Sequence, residues 1–266
     1  MPAHRIGLSA LLLGVGALPL QAQAGDLARY RMVDLTHALN TQTIFWPTSE
    51  TAFELKRLAF GPTPGGYFYA ANSFSMPEHG GTHLDAPVHF AEGGATADRI
   101  PLERLVLPAV VIDVSAQGAK DPDYLLTPGD IRAFERRHGT IPAGSAVLLR
   151  TGWDQRWPDR KAYLGDDTPG DASRLHFPSF GPEAAKILIN ERRVGALGVD
   201  AASIDCGQSK DFMVHRLAGA NGVPGFENLR DLDALPPTGA LLLALPIKIE
   251  GGSGGPLRAV ALVPRR

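Results

Sequence analysis

The sequence predicts an α/β chain with mixed strands and few helices. Three observations carry this. Thirty glycines and 22 prolines punctuate the 266 residues, so turns are frequent and long helices few. Short apolar runs of strand type recur along the chain and outnumber helical patterns. The two kinds of element are interleaved rather than segregated, which leaves α/β or α+β as the class.

The elements follow in order. Met1 to Arg5 carries one fixed positive charge, Ile6 to Leu20 is apolar, and Gln21-Ala22-Gln23-Ala24 offers a small-x-small cleavage pattern. This reads as a signal peptide over residues 1–24, followed by one domain over residues 25–266. The apolar run is too short to serve well as a membrane anchor. The expected location is therefore exported and periplasmic. Leu105 to Val114 reads as a strand interrupted by Pro108. Thr127-Pro128-Gly129-Asp130 places a capping residue before a first-turn proline, so a helix should run to about His138 and stop at Gly139. Ser145 to Arg150 reads as a buried strand, Pro182 to Arg193 as a helix and Val194 to Val199 as a strand. Leu241 to Ile249 and Ala259 to Val263 read as a closing strand pair.

Composition narrows the function. Hydrophobic residues make up 44% and charged residues 20%, ordinary globular values. The formal charge is -2, or about -3 once Arg5 leaves with the leader. No basic run points to nucleic acid, and no later apolar stretch points to a membrane span. Cys206 is the only cysteine, so no internal disulfide forms. Stability must come from the core, an oligomer or a metal.

The densest chemistry lies in Glu78-His-Gly-Gly-Thr-His-Leu-Asp-Ala-Pro-Val-His-Phe90. His79, His83, Asp85 and His89 fall within eleven residues. Imidazole and carboxylate are the donors that zinc and manganese prefer. Gly80-Gly81 and Pro87 oppose a helix here. If Thr82 to Asp85 is extended, His83 and Asp85 share a face, and the two glycines supply the turn that brings His79 to them. Three ligands leave an open position on a catalytic metal for water, whose pKa then falls toward about 7. His89, past Pro87, is left to move protons. Histidines merely hydrogen-bonded in a turn-rich core are the competing reading, which this density disfavours.

His-x-Gly-Thr-His-x-Asp-x-Pro-x-His resembles the signature of the cyclase family of metal-dependent hydrolases, which includes bacterial kynurenine formamidase. The resemblance continues through Val33-Asp34-Leu35-Thr36-His37, Trp46-Pro47, His176-Phe177-Pro178, Gly198-Val199-Asp200, Ser203-Ile204-Asp205 and Glu227-Asn228-Leu229. It closes with Leu235-Pro236, Leu245 to Ile249 and Gly255 to Ala259. It implies a swivelling β/β/α type fold with mixed sheets, an oligomer built on a homodimer, and one or two divalent ions, zinc first and manganese second. It also implies a second metal position completed by His215 and Glu227, with Asp85 bridging. Relatives similar to isatin hydrolases lack that glutamate and work with one metal, so Glu227 favours the two-metal form.

The implied activity is hydrolysis of an amide C–N bond, with a small molecule as partner and N-formylkynurenine as the first substrate to try. Export is at odds with a cytosolic formamidase. Ring-opening of an isatin-like lactam is therefore the alternative, and an exported non-catalytic metal-binding protein a third reading. Phe45, Trp46 and His176 are candidates for the substrate pocket, with packing or structural roles as competitors. His37 reads as a supporting or packing residue, and His138 as a helix-end histidine favoured by the dipole. Gly251-Gly252-Ser253-Gly254-Gly255 imitates a serine-hydrolase elbow. A helix should follow such an elbow, whereas Pro256 onward reads as a strand.

Overall fold

The computed structural model describes residues 27–265, so the leader and its cleavage site lie outside the described residues. The strands are β1 (Tyr30–Asp34), β2 (Glu54–Pro62), β3 (Phe68–Ser75), β4 (His83–Asp85), β5 (Val106–Asp113), β6 (Leu125–Leu126), β7 (Ala146–Arg150), β8 (Ser179–Phe180), β9 (Ala196–Val199), β10 (Gly225–Glu227), β11 (Ala240–Pro246) and β12 (Gly254–Pro264). Seven of them close on themselves in the order β12-β11-β5-β7-β9-β10-β4, because β4 pairs with both β10 and β12. β5, β7, β9 and β10 are parallel neighbours, and the remaining pairs are antiparallel. The fold is thus mixed α/β, with few helices around a closed, mixed barrel. β1 lies along the outer half of β12, β2 and β3 form a separate hairpin, and β6 pairs with β8.

Alternation along the parallel strands builds two cores. Leu107, Ala109, Val111, Ala146, Leu148, Ala196, Leu242, Ala244, Ala259 and Ala261 belong to one buried cluster, the barrel filling. Small residues dominate it because a narrow barrel has little interior volume. The intervening Val110, Ile112, Val147, Leu149, Leu197 and Val199 join the other cluster. There they meet Ile131 and Phe134 of the helix Pro128–His138, Ala185 and Leu188 near residues 182–191, and Val214 and Ala218 of the helix Met213–Ala220. Truncating a fully buried leucine such as Leu148 to alanine would cost about 2–5 kcal/mol.

The local expectations mostly hold, with physical exceptions. Thr127 caps its helix through a reciprocal box with Asp130, and Gly139 ends it at φ 87. Pro108 is tolerated because β5 begins to pair with β7 only at Ala109. The helix from Pro182 is α-helical only to Lys186. It then widens into a π turn over Ile187–Glu191, closed by the Arg192 N–H on the Ile187 carbonyl at 2.9 Å. β12 begins at Gly254, so the imitation elbow leads into a strand and Ser253 is a connection residue. His138 ends its helix with its ring 4.8 Å from that of Phe134.

Candidate metal centre

β4 is three residues long and closes the barrel, so its side chains sit on the seam. His83 and Asp85, two apart on an extended strand, point to one face. The register sets Glu227 opposite His83 and Gly225 opposite Asp85 on one side, and Gly254 opposite Asp85 on the other. Asp85 therefore meets no competing side chain from either neighbour. A Cβ at Gly254 would lie 2.5 Å from the His79 ring, so only glycine leaves that imidazole its place. Gly81, at φ 58, makes the turn that returns His79 over the strand. His215 arrives from the helix Met213–Ala220.

The donors converge. His79 Nδ1 lies 2.6 Å from Asp85 Oδ1, and His83 Nε2 lies 3.2 Å from the same oxygen. Asp85 Oδ2 faces the other way, 3.2 Å from His215 Nε2. Glu227 closes both sides, with Oε2 3.5 Å from His83 Nε2 and Oε1 3.1 Å from His215 Nε2. Tetrahedral donors about 2.0–2.1 Å from a zinc ion stand about 3.3–3.4 Å apart, close to the 3.1–3.5 Å separations around His83, His215 and Glu227, while the 2.6 Å between His79 and Asp85 is that of a hydrogen bond. The two oxygens of Asp85 address different histidines, as a bridging carboxylate would. His79, Asp85 and His89 also bring one donor atom each within 4.8 Å of one another.

Each imidazole is oriented from behind. His83 Nδ1 donates to the Gly81 carbonyl at 2.9 Å, and His215 Nδ1 donates to Asp205 Oδ2 at 2.6 Å. His79 Nε2 meets Ser253 Oγ at 2.9 Å, and that hydroxyl donates to Glu78 Oε2 at 2.6 Å. Such partners fix the ring orientation and the tautomer that leaves the other nitrogen free for a cation. Asp205, Glu78 and Ser253 were not among the expected site residues, although Ser253 lies in the imitation elbow and Asp205 in one of the family-like blocks.

Electrostatics agree with a cation site. Asp85, His83, His215 and Glu227 are all buried. Among the described residues, the ion-pair partners of Asp85 and Glu227 are histidines, with no lysine or arginine. Burial pulls the His83 imidazole down, but Asp85 and then Glu227 outweigh it and raise it to about 9. Burial acts against the Asp85 carboxylate, yet His83 and the histidine hydrogen bonds hold it well below the usual range. Two buried carboxylates without a fixed cation call for protons on these rings or for a metal in their place. The donor set fits a divalent ion.

The remaining candidates separate clearly. The centre opens into a cavity of about 310 Å³ walled by Ile44, Phe45, Trp46, Phe90, Leu164 and Phe212. His89 lines it, half-buried, with its ring stacked 3.9 Å from that of His79. Burial lowers its imidazole to about 4 despite the pull of Asp85. His176 is a correction: it does not line the cavity but pairs with Asp123 at 2.8 Å on the outside. Its neighbour Phe177 turns inward instead and packs edge-on to Trp46 at 6.3 Å. His37 is a packing residue, stacked on Trp157 at 4.2 Å.

Known proteins share this frame. The family described as "Putative cyclase" matches residues 33–206. An isatin hydrolase of Roseibium aggregatum is 41% identical over 208 residues, 75% of this chain and 77% of that protein. A kynurenine formamidase of Salinibacter ruber is 31% identical over 195 residues, 71% of this chain and 77% of that protein. The structure of isatin hydrolase A from Ralstonia solanacearum superposes with a TM-score of 0.83 at 40% identity, covering 95% of this chain and all of that one. The buried histidine–carboxylate centre and these likenesses together place the chain in the cyclase family, among hydrolases that act on carbon–nitrogen bonds.

Proposed function

We propose that this protein opens the ring of an isatin-like lactam by hydrolysing its amide bond. The observation that carries the reading is the likeness to isatin hydrolases, at 41% and 40% identity, against 31% for the formamidase. The cavity supports it. A planar fused ring suits the slot between Phe45, Trp46, Phe90 and Phe212, with its carbonyl toward the histidine–carboxylate centre.

His79, His83, Asp85, His215 and Glu227 are the ligands in this reading. One or two divalent ions held there, zinc first and manganese second, would supply Lewis acidity and a water acidic enough to attack at neutral pH. The attacking water adds to the lactam carbonyl carbon and the C–N bond breaks. His89, neutral at pH 7 with its imidazole near 4, takes a proton from the water. It delivers that proton to the departing nitrogen, which leaves as an aryl amine. The carbonyl becomes a carboxylate and releases its proton to solvent. The aromatic wall holds the ring and limits bulk water.

N-formyl arylamine hydrolysis is the second reading, kept because Glu227 completes a second set of donors with His215 and Asp85. Both reactions use the same attack and differ in what the cavity admits. The swivelling β/β/α description of the fold, one domain over residues 25–266 and export with cleavage after Ala24 are part of the same proposal. N-terminal sequencing of a periplasmic fraction checks the export.

Metal-loaded protein assayed with isatin and with N-formylkynurenine decides between the readings. The expected result is a kcat/KM for isatin at least 100-fold higher, abolished by chelator and restored by zinc or manganese. The reverse ratio assigns the formamide instead. Tight metal binding without turnover of any amide, lactam or ester would make the protein a binder.

A further inference from the structure

Asn228 holds a backbone conformation that side chains with a Cβ seldom adopt. It directly follows Glu227 at the end of β10, is buried, and sits at φ 53. Left-handed positions are open to glycine without steric cost, whereas a Cβ makes them unfavourable. Another residue stays there only when its surroundings over-determine it. Asn228 meets that condition. Its N–H donates to the Ala201 carbonyl at 3.0 Å, and its own carbonyl accepts the Thr82 hydroxyl at 2.6 Å. Its Nδ2 donates to the Gly81 carbonyl at 2.8 Å, and its Oδ1 accepts the Tyr163 hydroxyl at 3.0 Å. Glycine would satisfy the backbone equally well, so what the asparagine adds is its amide.

An amide suits both side-chain partners at once. The Gly81 carbonyl needs a donor, and the Tyr163 hydroxyl, donating, needs an acceptor. An ionised carboxylate offers no donor, and an aliphatic side chain offers neither group. Tyr163 is fully buried in the helix Arg160–Leu164, and its own carbonyl accepts Trp153 Nε1–H at 2.7 Å. The amide is therefore braced from the packed core.

The Gly81 carbonyl is where this chain of contacts reaches the metal centre. It accepts twice, from Asn228 Nδ2 at 2.8 Å and from His83 Nδ1 at 2.9 Å. The β4–β10 ladder ends at the pair His83–Glu227. Just past it the two backbones turn to other partners: the Asn228 N–H goes to Ala201, and the Thr82 carbonyl accepts the Leu257 N–H at 3.3 Å. The Asn228 amide and the Thr82 hydroxyl bridge the gap that the ladder leaves.

We infer that Asn228 is a positioning residue of the metal centre. Its amide, braced by Tyr163, fixes the Gly81 carbonyl against His83 Nδ1 and keeps His83 Nε2 facing the carboxylate of Glu227, its own chain neighbour. One side chain thereby couples a donor on β4 to a donor on β10. This rests on the reading of His83 and Glu227 as ligands. Without the amide the Gly81 carbonyl is free to turn and the His83 ring loses its fixed orientation, so the ion is held less tightly although every donor is present. Asn228 also lines the cavity, which makes direct contact with substrate the rival role.

Asn228→Gly keeps the left-handed backbone and removes only the amide. Zinc affinity, read by competition with a chelating dye, should fall about 10–100-fold. Tyr163→Phe keeps the ring, frees the amide and should cost less. Joined to Asn228→Gly it should add little, because it acts through that residue. Nitrogen-15 spectra of the zinc-loaded protein supply a readout that general destabilisation would not produce. The His83 Nδ1–H should exchange with solvent faster in Asn228→Gly, while the His215 Nδ1–H, backed by Asp205, keeps its wild-type rate. Circular dichroism checks the fold, and Tyr163→Phe carries both readouts if Asn228→Gly does not fold. Wild-type zinc affinity in the folded variants, or equal acceleration at His83 and His215, would overturn the assignment. So would wild-type affinity with a raised KM, which would make Asn228 a substrate contact. His83→Ala that keeps wild-type zinc affinity would sink the ligand reading and this inference with it, whereas loss there with none in Asn228→Gly sinks the inference alone. The metal readouts need no turnover, so they stand whichever substrate the enzyme opens.

Discussion

Asp205 grips His215 twice: its Oδ2 accepts the His215 backbone N–H at 2.9 Å and Nδ1–H at 2.6 Å. Its other oxygen accepts the Val214 N–H at 2.9 Å. One buried carboxylate thus anchors the start of the helix Met213–Ala220 and fixes its histidine. Nε2 is left toward Asp85 and Glu227. The proposed donor His215 is held by a carboxylate that lies behind it, away from Asp85 and Glu227.

Replacing Asp205 with asparagine keeps the shape but leaves a weaker, neutral acceptor for the ring. Metal affinity should fall about 10–100-fold with every direct ligand present. Competition titration against a chelating dye would measure it, and unchanged affinity would remove Asp205 from the centre's support.

Asp85 and Glu227 should differ in how much metal they govern. Asp85 comes within 3.2 Å of His79, His83 and His215, whereas Glu227 lies 3.1 Å from His215 and 3.5 Å from His83 and does not reach His79. The wild-type protein is expected to bind two ions per chain, Glu227→Gln one, and Asp85→Ala none. Elemental analysis of dialysed protein reads all three. Two ions retained in Glu227→Gln would contradict the ligand assignment.

His37 links stability to pH at a distance from the ligands. Burial, reinforced by Arg230 and opposed by Asp231, lowers its imidazole to about 4. Its Nε2 is buried without a hydrogen-bond partner, so the neutral ring is the one the fold accepts. The unfolded chain takes up a proton near pH 6.5, and the folded chain only near pH 4. This contribution is therefore complete above pH 6.5 and is lost as pH falls toward 4. Between pH 7.5 and 5 it removes about 2 kcal/mol. His37→Phe keeps a ring against Trp157 without a titrating group. Urea unfolding of the two proteins should show a drop smaller by about that amount in the variant, and equal drops would refute the link.

The uneven legibility of the sequence has a geometric cause. His79, His83, Asp85 and His89 could be read directly because a glycine turn and one short strand bring them together. His215 and Glu227 came into view only through the family resemblance. Their spacing in the chain records nothing of the β4–β10 pairing that sets Glu227 opposite His83. Glu78 and Ser253, 175 residues apart, meet only because β4 pairs with β12. The β2 strand is not legible in the sequence because the register shift between Arg57 and Ala59 breaks the alternation that marks a strand. His176 was misplaced by a single step of alternation, since its neighbour Phe177 is the residue that turns inward.

His89 offers the sharpest separation of binding from turnover. It lies on the 3-10 turn Pro87–His89, directly after the ligand strand, and its ring stacks on His79 rather than joining the hydrogen-bond supports of the centre. If it carries the proton from water to the leaving nitrogen, removing it should spare the metal and slow the reaction. His89→Ala is expected to hold wild-type metal and to lose about 10²–10⁴-fold in kcat, with KM little changed. A substrate with a far better leaving group, such as an activated aryl ester, needs no proton at its departing atom and should recover much of the loss. Equal loss on amide and activated ester, or loss of metal in the variant, would move His89 from proton carrier to ligand, a role its donor distance to His79 and Asp85 allows.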